Sequence, residues 1–200
     1  MPGRPTNARD RSRAVVTELL FPTPPLTDGV VLLRPWRATN LPAKVRAFGD
    51  PQLQRFSWTR AQPATAADIE ASLRTDEEAR AGGQALNFAV VEPRDEDVVL
   101  GGAALYDVTL DQGRAGVGYW LAPEARGRGA ATRAVRLLTR WAFSTLALAR
   151  IELTCGPDNA ASQRVAERSG FTREGILRSH LAFQGGRRDT VLFSLLPRDH

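Results

Sequence analysis

Apolar and polar positions along the chain alternate between short apolar runs and longer segments of helical period. Val117-Gly118-Tyr119-Trp120-Leu121 is apolar and aromatic enough to be a buried strand, and a run with helical period follows from Ala131 to Leu146. On that helix Arg133, Arg136, Arg140 and Ser144 fall on one stripe, while Ala131, Ala134, Val135, Leu138, Ala142 and Leu146 fall opposite. One face is therefore solvated and the other packs on a sheet. Ile151 to Cys155 reads as a further strand. Gly156-Pro157-Asp158-Asn159 then opens a short helix that stops before Gly170, with Asn159, Ser162 and Ala166 on one face.

The flanking segments extend the same alternation. Met1 to about Arg13 is polar and has too few apolar residues to fold alone. Val15 to Phe21 is apolar enough to dock, and Pro22, Pro24 and Pro25 rule out a continuous helix. The expected organisation is a flexible N-terminal arm over 1–28 and a single domain over 29–200. Val30 to Leu33 reads as the first strand. Thr39 then caps a short helix with Leu41, Val45 and Phe48 on one face, and Gly49 closes it. Asp50 to Gln62 lacks clear periodicity and carries Phe56 and Trp58. Thr65 with Asp68 forms a capping box for a helix ended by Gly82-Gly83, and its acidic run Asp76-Glu77-Glu78 reads as a solvated face. Strand patterns at Asn87 to Glu92 and Val98 to Val108 are joined by a polar turn, and Gly101-Gly102 marks a bulge or a close backbone approach. Thr172 to Phe183 and Arg188 to Leu196 read as a final hairpin. The pattern predicts one mixed α/β domain without internal repeats.

Candidate chemistry concentrates in the turn Arg126-Gly127-Arg128-Gly129-Ala130-Ala131, between the buried strand and the long helix. Two glycines let the backbone bend so that successive N–H groups point outward at a helix N-terminus, which suits an anion such as phosphate. Arg126 and Arg128 would each add a charge-assisted hydrogen bond of about 1.5 to 3 kcal/mol. Spacing alone leaves open a solvated basic turn that simply ends the strand.

Composition narrows the partners. A chain of 200 residues suits one domain, and 27 basic against 22 acidic residues give a net charge of +5. That balance favours polyanionic partners. Lys44 is the only lysine, an arginine bias that skewed base composition in the source genome accounts for. A single cysteine excludes an internal disulfide and a multi-cysteine metal site. The two histidines, His180 and His200, have no ligand spacing, so no metal is expected. No apolar run approaches ~20 residues and no secretory signal opens the chain, so the expectation is a soluble cytoplasmic protein without a membrane partner. Nucleic acid is not expected either, since no stacked-aromatic motif accompanies the arginines.

Four signals in order, Gly118-Tyr119-Trp120-Leu121, Arg126 to Ala131, Asp158-Asn159-Ala160-Ala161-Ser162 and Gly170-Phe171, resemble the GNAT superfamily of acyl-CoA-dependent N-acetyltransferases. The similarity is to the branch that acetylates N-termini of ribosomal proteins, and it extends from about Val30 to Leu196. The superfamily's pyrophosphate loop falls on Arg126, Gly129 and Ala131. The resemblance implies a central, mostly antiparallel sheet with two parallel splayed central strands, flanked by helices. It implies acetyl-CoA as acyl donor, bound by Tyr119, Trp120, Leu121, Arg126, Gly127, Arg128, Gly129, Ala130, Ala131, Thr132 and Asn159. Backbone N–H groups near Tyr119 to Leu121 would polarise the thioester, and the segment from Asp50 to Gln62, with Phe56 and Trp58, would lie over the acceptor site.

The resemblance also implies direct attack by the amine in a ternary complex. Many relatives carry a tyrosine four residues before the Gly-Phe pair, where this chain has Ala166. The ribosomal-protein branch is similar in using a serine three residues after the asparagine, which makes Ser162 the candidate proton donor to the departing thiolate. A glutamate is frequent two residues before the Gly-Tyr-Trp-Leu run, and here that position is Gly116. Asp107 and Asp111 stay open as bases acting through water, as does an amine that arrives neutral, since an N-terminal amine has a pKa near ~8. Cys155 reads as core packing, and nothing in the sequence places His180 in the pocket. A protein N-terminus, an amino acid, a polyamine and an aminoglycoside all remain acceptors. A CoA-binding regulator without catalysis and an RNA-associated scaffold are the alternatives, and either a monomer or a homodimer is compatible.

Overall fold

The computed structural model describes residues 18–57 and 64–199; Trp58 and the polar start of the N-terminal arm lie outside them. The chain forms β1 (Leu26–Thr27), β2 (Leu32–Pro35), α1 (Leu41–Phe48), α2 (Pro51–Ser57), α3 (Ala66–Ala81), β3 (Leu86–Glu92), β4 (Asp95–Thr109) and β5 (Arg114–Leu121). It continues through α4 (Ala130–Thr145), β6 (Arg150–Cys155), α5 (Ala160–Arg168), β7 (Thr172–Phe183) and β8 (Gly186–Leu195). The eight strands make one sheet in the order β1-β2-β3-β4-β5-β6-β8-β7. Every neighbouring pair is antiparallel except β5 and β6.

That exception positions the site. β5 and β6 pair only through Arg114↔Arg150, Ala115↔Ile151 and Gly116↔Glu152. Beyond Gly116 they no longer pair, so Val117 to Leu121 diverge from Leu153 to Cys155 and leave backbone groups of β5 without a partner strand. α4 packs its apolar stripe against the sheet at this point, with Ala131, Ala134, Val135, Leu138 and Ala142 buried as the helical period requires. The stripe is wider than the sequence pattern suggested, since Thr139 and Trp141 are buried too.

The expected elements recur with informative differences. The strand expected to open at Val30 is β2 and begins at Leu32, after the short β1, because Asp28 Oδ1 accepts the N–H groups of Val30 and Val31 at 3.0 Å each and holds them in a turn. Residues 18–28 include Leu19, 1% exposed within the core, and β1, which pairs with β2. The N-cap of α1 is Asn40 and not Thr39, because a short 3-10 turn precedes the helix. Thr65 caps α3 reciprocally with Asp68 as expected. The acidic run on α3 is not wholly solvated: Asp76 lies 3.6 Å from the buried Lys44, and burial pushes its carboxyl above the usual range. Gly101 and Gly102 are a close approach, since a Cβ at Gly102 would lie 2.6 Å from Trp120 Nε1. α2 has no clear period in its sequence and is held by tertiary contacts.

Candidate active site

The divergence of β5 from β6 opens a cavity of about 430 Å3 at the N-terminus of α4. Gly127 and Gly129 adopt left-handed backbone with φ of 74° and 79°, which admits glycine without strain. Gly129 is the N-cap of α4, and no side chain caps the helix, so its first N–H groups have neither a helical acceptor nor a capping oxygen. A Cβ at either glycine would meet nothing within 4 Å, so the space above the turn is open. The turn is thus a cradle of backbone donors at the positive end of a 16-residue helix.

Of the binding residues expected from sequence, Tyr119, Trp120, Leu121, Arg126, Gly127, Gly129, Ala130, Ala131, Thr132 and Asn159 line this cavity together with Ser162. Arg128 does not; its side chain is exposed outside the wall. Arg126 is already engaged: its guanidinium pairs with Asp50 and donates to Gln52 Oε1 at 2.9 Å. Hydrogen bonding from Arg126 holds the Asp50 carboxyl below its usual range. Asn159 caps α5, its Oδ1 accepting the N–H of Ser162 at 3.1 Å. This bond fixes the start of α5 and leaves the Ser162 hydroxyl free to point elsewhere.

That hydroxyl meets Tyr119. Tyr119 Oη and Ser162 Oγ are 2.8 Å apart, joining β5 to α5 across the cavity. Burial pushes the Tyr119 phenol up to about 12, with the bond to Ser162 offsetting part of that rise. Tyr119 therefore keeps its proton across the neutral range, and when it donates to Ser162 the serine's own proton is released for another acceptor.

The third wall is α2, which contributes Gln52, Leu53 and Phe56. Its start is tied to the turn by Asp50 and Arg126. Its end is tied to the β6–α5 loop by Arg55, 2.9 Å from Asp158 Oδ2, while Arg188 reaches Asp158 Oδ1 at 2.7 Å. Arg188 also covers the rings of Phe183 and Phe56, at 4.6 and 5.6 Å from their centroids. Arg164 and Arg168 on α5 add two further cations to the wall. Their spacing of four residues on a predicted helix was the available signal, but only the fold turns that face toward the glycine turn.

Among the described residues no carboxylate lines the cavity. At Gly116, where the resemblance drawn from the sequence leads one to expect a glutamate, an added Cβ would collide with the ring of Tyr106. Tyr106 lies across Gly116 and Gly118, hydrogen bonds to Thr154 on β6, and has its phenol pushed up by burial. Asp107 and Asp111 are exposed and away from the wall. His180 is bound to Thr190 Oγ1 at 2.8 Å on the far hairpin. Cys155 is buried, and burial pushes its thiol up to about 11, so the thiol form persists. Among the described residues no cluster suited to a metal ion occurs, and no helix is long and apolar enough to cross a membrane.

Comparison with known proteins fits this geometry. Residues 31–172 match the model of the acetyltransferase (GNAT) domain. The chain is 34% identical over 118 residues to "Uncharacterized N-acetyltransferase p20" of Bacillus licheniformis, covering 59% of this chain and 66% of that protein. It is 37% identical over 101 residues to "Putative ribosomal N-acetyltransferase YdaF" of Bacillus subtilis, covering 50% of this chain and 55% of that protein. The matches therefore span less than two thirds of these relatives. Among solved structures, Mycobacterium smegmatis RimJ in complex with CoA-disulfide superposes with a TM-score of 0.76 at 27% identity, over 86% of this chain and 84% of that one.

Proposed function

Because the chain belongs to the GNAT acetyltransferase family, we propose that it transfers an acetyl group from acetyl-CoA to a primary amine by direct attack in a ternary complex. The observation that carries this reading is the single cavity that has an open, uncapped anion cradle at one end and the Tyr119–Ser162 pair at the other. CoA fits that donor set. The N–H groups at Gly129 to Thr132 would hold its pyrophosphate, Arg164 and Arg168 would add positive charge at the rim, and unpaired backbone of β5 beyond Gly116 would bond its pantetheine arm as a strand would. When bound, it supplies an activated acyl group on sulfur.

In this mechanism a backbone N–H between Tyr119 and Leu121 polarises the thioester carbonyl, and the amine nitrogen attacks the carbonyl carbon. As the C–S bond breaks, Ser162 Oγ–H donates to the departing sulfur, with Tyr119 Oη donating to Ser162 in turn. The nitrogen's proton leaves to solvent after attack, and a solvent proton restores the Tyr119–Ser162 pair that protonated the sulfur, so the products are an amide and a thiol and the pair is regenerated. With no carboxylate among the described residues of the wall, the amine arrives neutral, which an amine of pKa near ~8 does in appreciable fraction at neutral pH. α2 closes one side of the cavity and limits water there.

One relative's name, a putative ribosomal N-acetyltransferase, supports an amine on a ribosomal protein as the finer reading of the acceptor, which would place the reaction in the cytoplasm. Mass spectrometry of an amine panel incubated with acetyl-CoA and the protein tests the transfer: an acetylated member supports it, and none at any pH from 7 to 9 refutes it. A second reading, a CoA-binding regulator, is favoured by Tyr106 occupying the place of a base at Gly116. It predicts CoA binding without any acetylated product.

A further inference from the structure

The two strands that part at the cavity end in separate loops, 122–129 after β5 and 156–159 after β6. α2 is tied to both. Asp50, immediately before the helix, pairs with Arg126 in the first loop, and Arg55, in its last turn, lies 2.9 Å from Asp158 Oδ2 in the second. The helix therefore spans the open end of the divergence, with Gln52, Leu53 and Phe56 on the cavity wall. Leu53 is the one buried side chain among those described on α2. A helix of seven residues with so little apolar anchorage takes its position from its polar ties.

The tie at Asp50 engages most of what Arg126 can offer. Its Nη2 donates to Asp50 Oδ1 and to the Leu121 carbonyl, the latter at 3.3 Å, and its Nη1 donates to Gln52 Oε1 at 2.9 Å. Three of the five guanidinium donors are thus committed, and they join α2 to the end of β5. Asp50 Oδ1 also accepts the N–H of Leu53 at 2.9 Å, and the Asp50 carbonyl accepts that of Gln54 at 3.0 Å, so the residue that receives Arg126 is the residue that caps α2. Hydrogen bonding from Arg126 holds the Asp50 carboxyl below its usual range, so the two form an ion pair at neutral pH and a diphosphate would have to compete with a carboxylate for the guanidinium. The cations on the cavity wall without a carboxylate partner among the described residues are Arg164 and Arg168.

We infer that Arg126 is a positioning residue that acts through Asp50: it braces α2 across the open end of the strand divergence and does not contact the diphosphate of CoA, although the resemblance drawn from the sequence assigns it to the pyrophosphate loop. The brace holds the Leu53 and Phe56 wall closed. Without it water reaches the thioester and attacks the carbonyl carbon, the C–S bond breaks, and acetate and free thiol form in place of amide and thiol. This last consequence rests on the acetyl-transfer reading, whereas the brace itself does not.

The test compares Arg126→Gln, Asp50→Asn and the double variant with the parent, by amide hydrogen exchange and by calorimetry with CoA. Asparagine still caps a helix, so Asp50→Asn removes the charge pairing and keeps the start of α2. Exchange of the amides from Leu53 to Phe56 should quicken about fivefold or more in each single variant and no further in the double, because the two residues act as one unit. CoA affinity should change by the same factor, within about twofold, in all three. A direct phosphate ligand gives a different pattern: Arg126→Gln weakens CoA about tenfold or more, while Asp50→Asn leaves its affinity unchanged or tightens it. That pattern, effects that multiply in the double variant, or α2 amides that are unprotected in the parent or equally protected in the variants, overturns the inference. With an amine that the parent acetylates, amide formed per thiol released should fall by about half or more in Asp50→Asn, a change that lowered stability alone would not cause, and an unchanged ratio overturns the positioning role. A parent that acetylates no amine fails the transfer reading separately, and exchange and CoA binding then decide the brace.

Discussion

Replacing Ser162 with alanine removes one hydroxyl and leaves the surrounding structure in place. The Asn159 cap bonds the backbone N–H of Ser162 and survives the change. Alanine is also the better helix former, by roughly 0.5 kcal/mol. The lost bond to Tyr119 Oη, 2.8 Å long, is worth about 0.5 to 1.5 kcal/mol, and the phenol is left facing a cavity where water can replace the serine. Thermal stability should therefore hold within about 1 kcal/mol. Catalysis should not: loss of a group that donates to the leaving sulfur lowers kcat by about 10²- to 10⁴-fold, or roughly 2.7 to 5.4 kcal/mol of barrier. The affinity for CoA should stay within about threefold, because the hydroxyl acts when thiolate charge develops. Tyr119→Phe should cost less, about tenfold, because Ser162 keeps its own proton. Single-turnover transfer with CoA binding measured by calorimetry separates these quantities. If chemistry limits the rate and Ser162→Ala stays within about twofold of the parent, Ser162 is not the donor; if CoA binding collapses instead, its role is in binding.

Gly129→Val should raise the KM for acetyl-CoA about tenfold or more, through the side chain entering the space above the cradle and the cost of a β-branched residue at φ of 79°; unchanged CoA affinity in a folded variant would make the turn purely structural. Gly116→Ala should destabilise the fold by about 1 to 3 kcal/mol because its Cβ collides with Tyr106, and adding Tyr106→Ala should relieve that clash, which denaturant melts of the single and double variants would read. Because Tyr119 is pushed up to about 12, the pH profile of kcat should carry no loss from its ionisation below about pH 10, whereas an alkaline fall beginning near pH 8 that Tyr119→Phe abolishes would contradict the assignment. Glu174 is held down at about 2 by Arg150 and Ser194, so its contribution is present above the usual carboxylate range and is lost as pH falls through about 2. Its partial exposure limits the size to about 1 kcal/mol, and Glu174→Gln should flatten the acid limb of stability between about pH 4.5 and 2 by that amount.

Local rules made the central unit readable. The stripe on α4, the Asn159 cap, the Thr65–Asp68 box and the Gly127 and Gly129 turn are each decided within a few residues, and each recurs in the structure. α2 was illegible because its order comes from distant partners: Asp50 is held by Arg126 and Arg55 by Asp158, ties that no local period encodes. The same holds for the Tyr119–Ser162 pair, 43 residues apart in sequence, although both residues were singled out separately. Gly116 raised the question of a missing base, but only the fold brings Tyr106 over it from the neighbouring strand. The acidic run on α3 misled for a related reason. A polar triplet on a helix reads as solvent-facing, whereas α1 packs Lys44 beside Asp76.

The most direct measurement is the initial rate of free-thiol release over a grid of acetyl-CoA and acceptor-amine concentrations. Direct transfer within a ternary complex predicts release that saturates in both substrates, depends on the amine, and gives double-reciprocal lines that intersect. Parallel lines would demand a covalent acetyl-enzyme for which the cavity offers no activated nucleophile, and thiol release that ignores the amine would contradict the proposed transfer altogether.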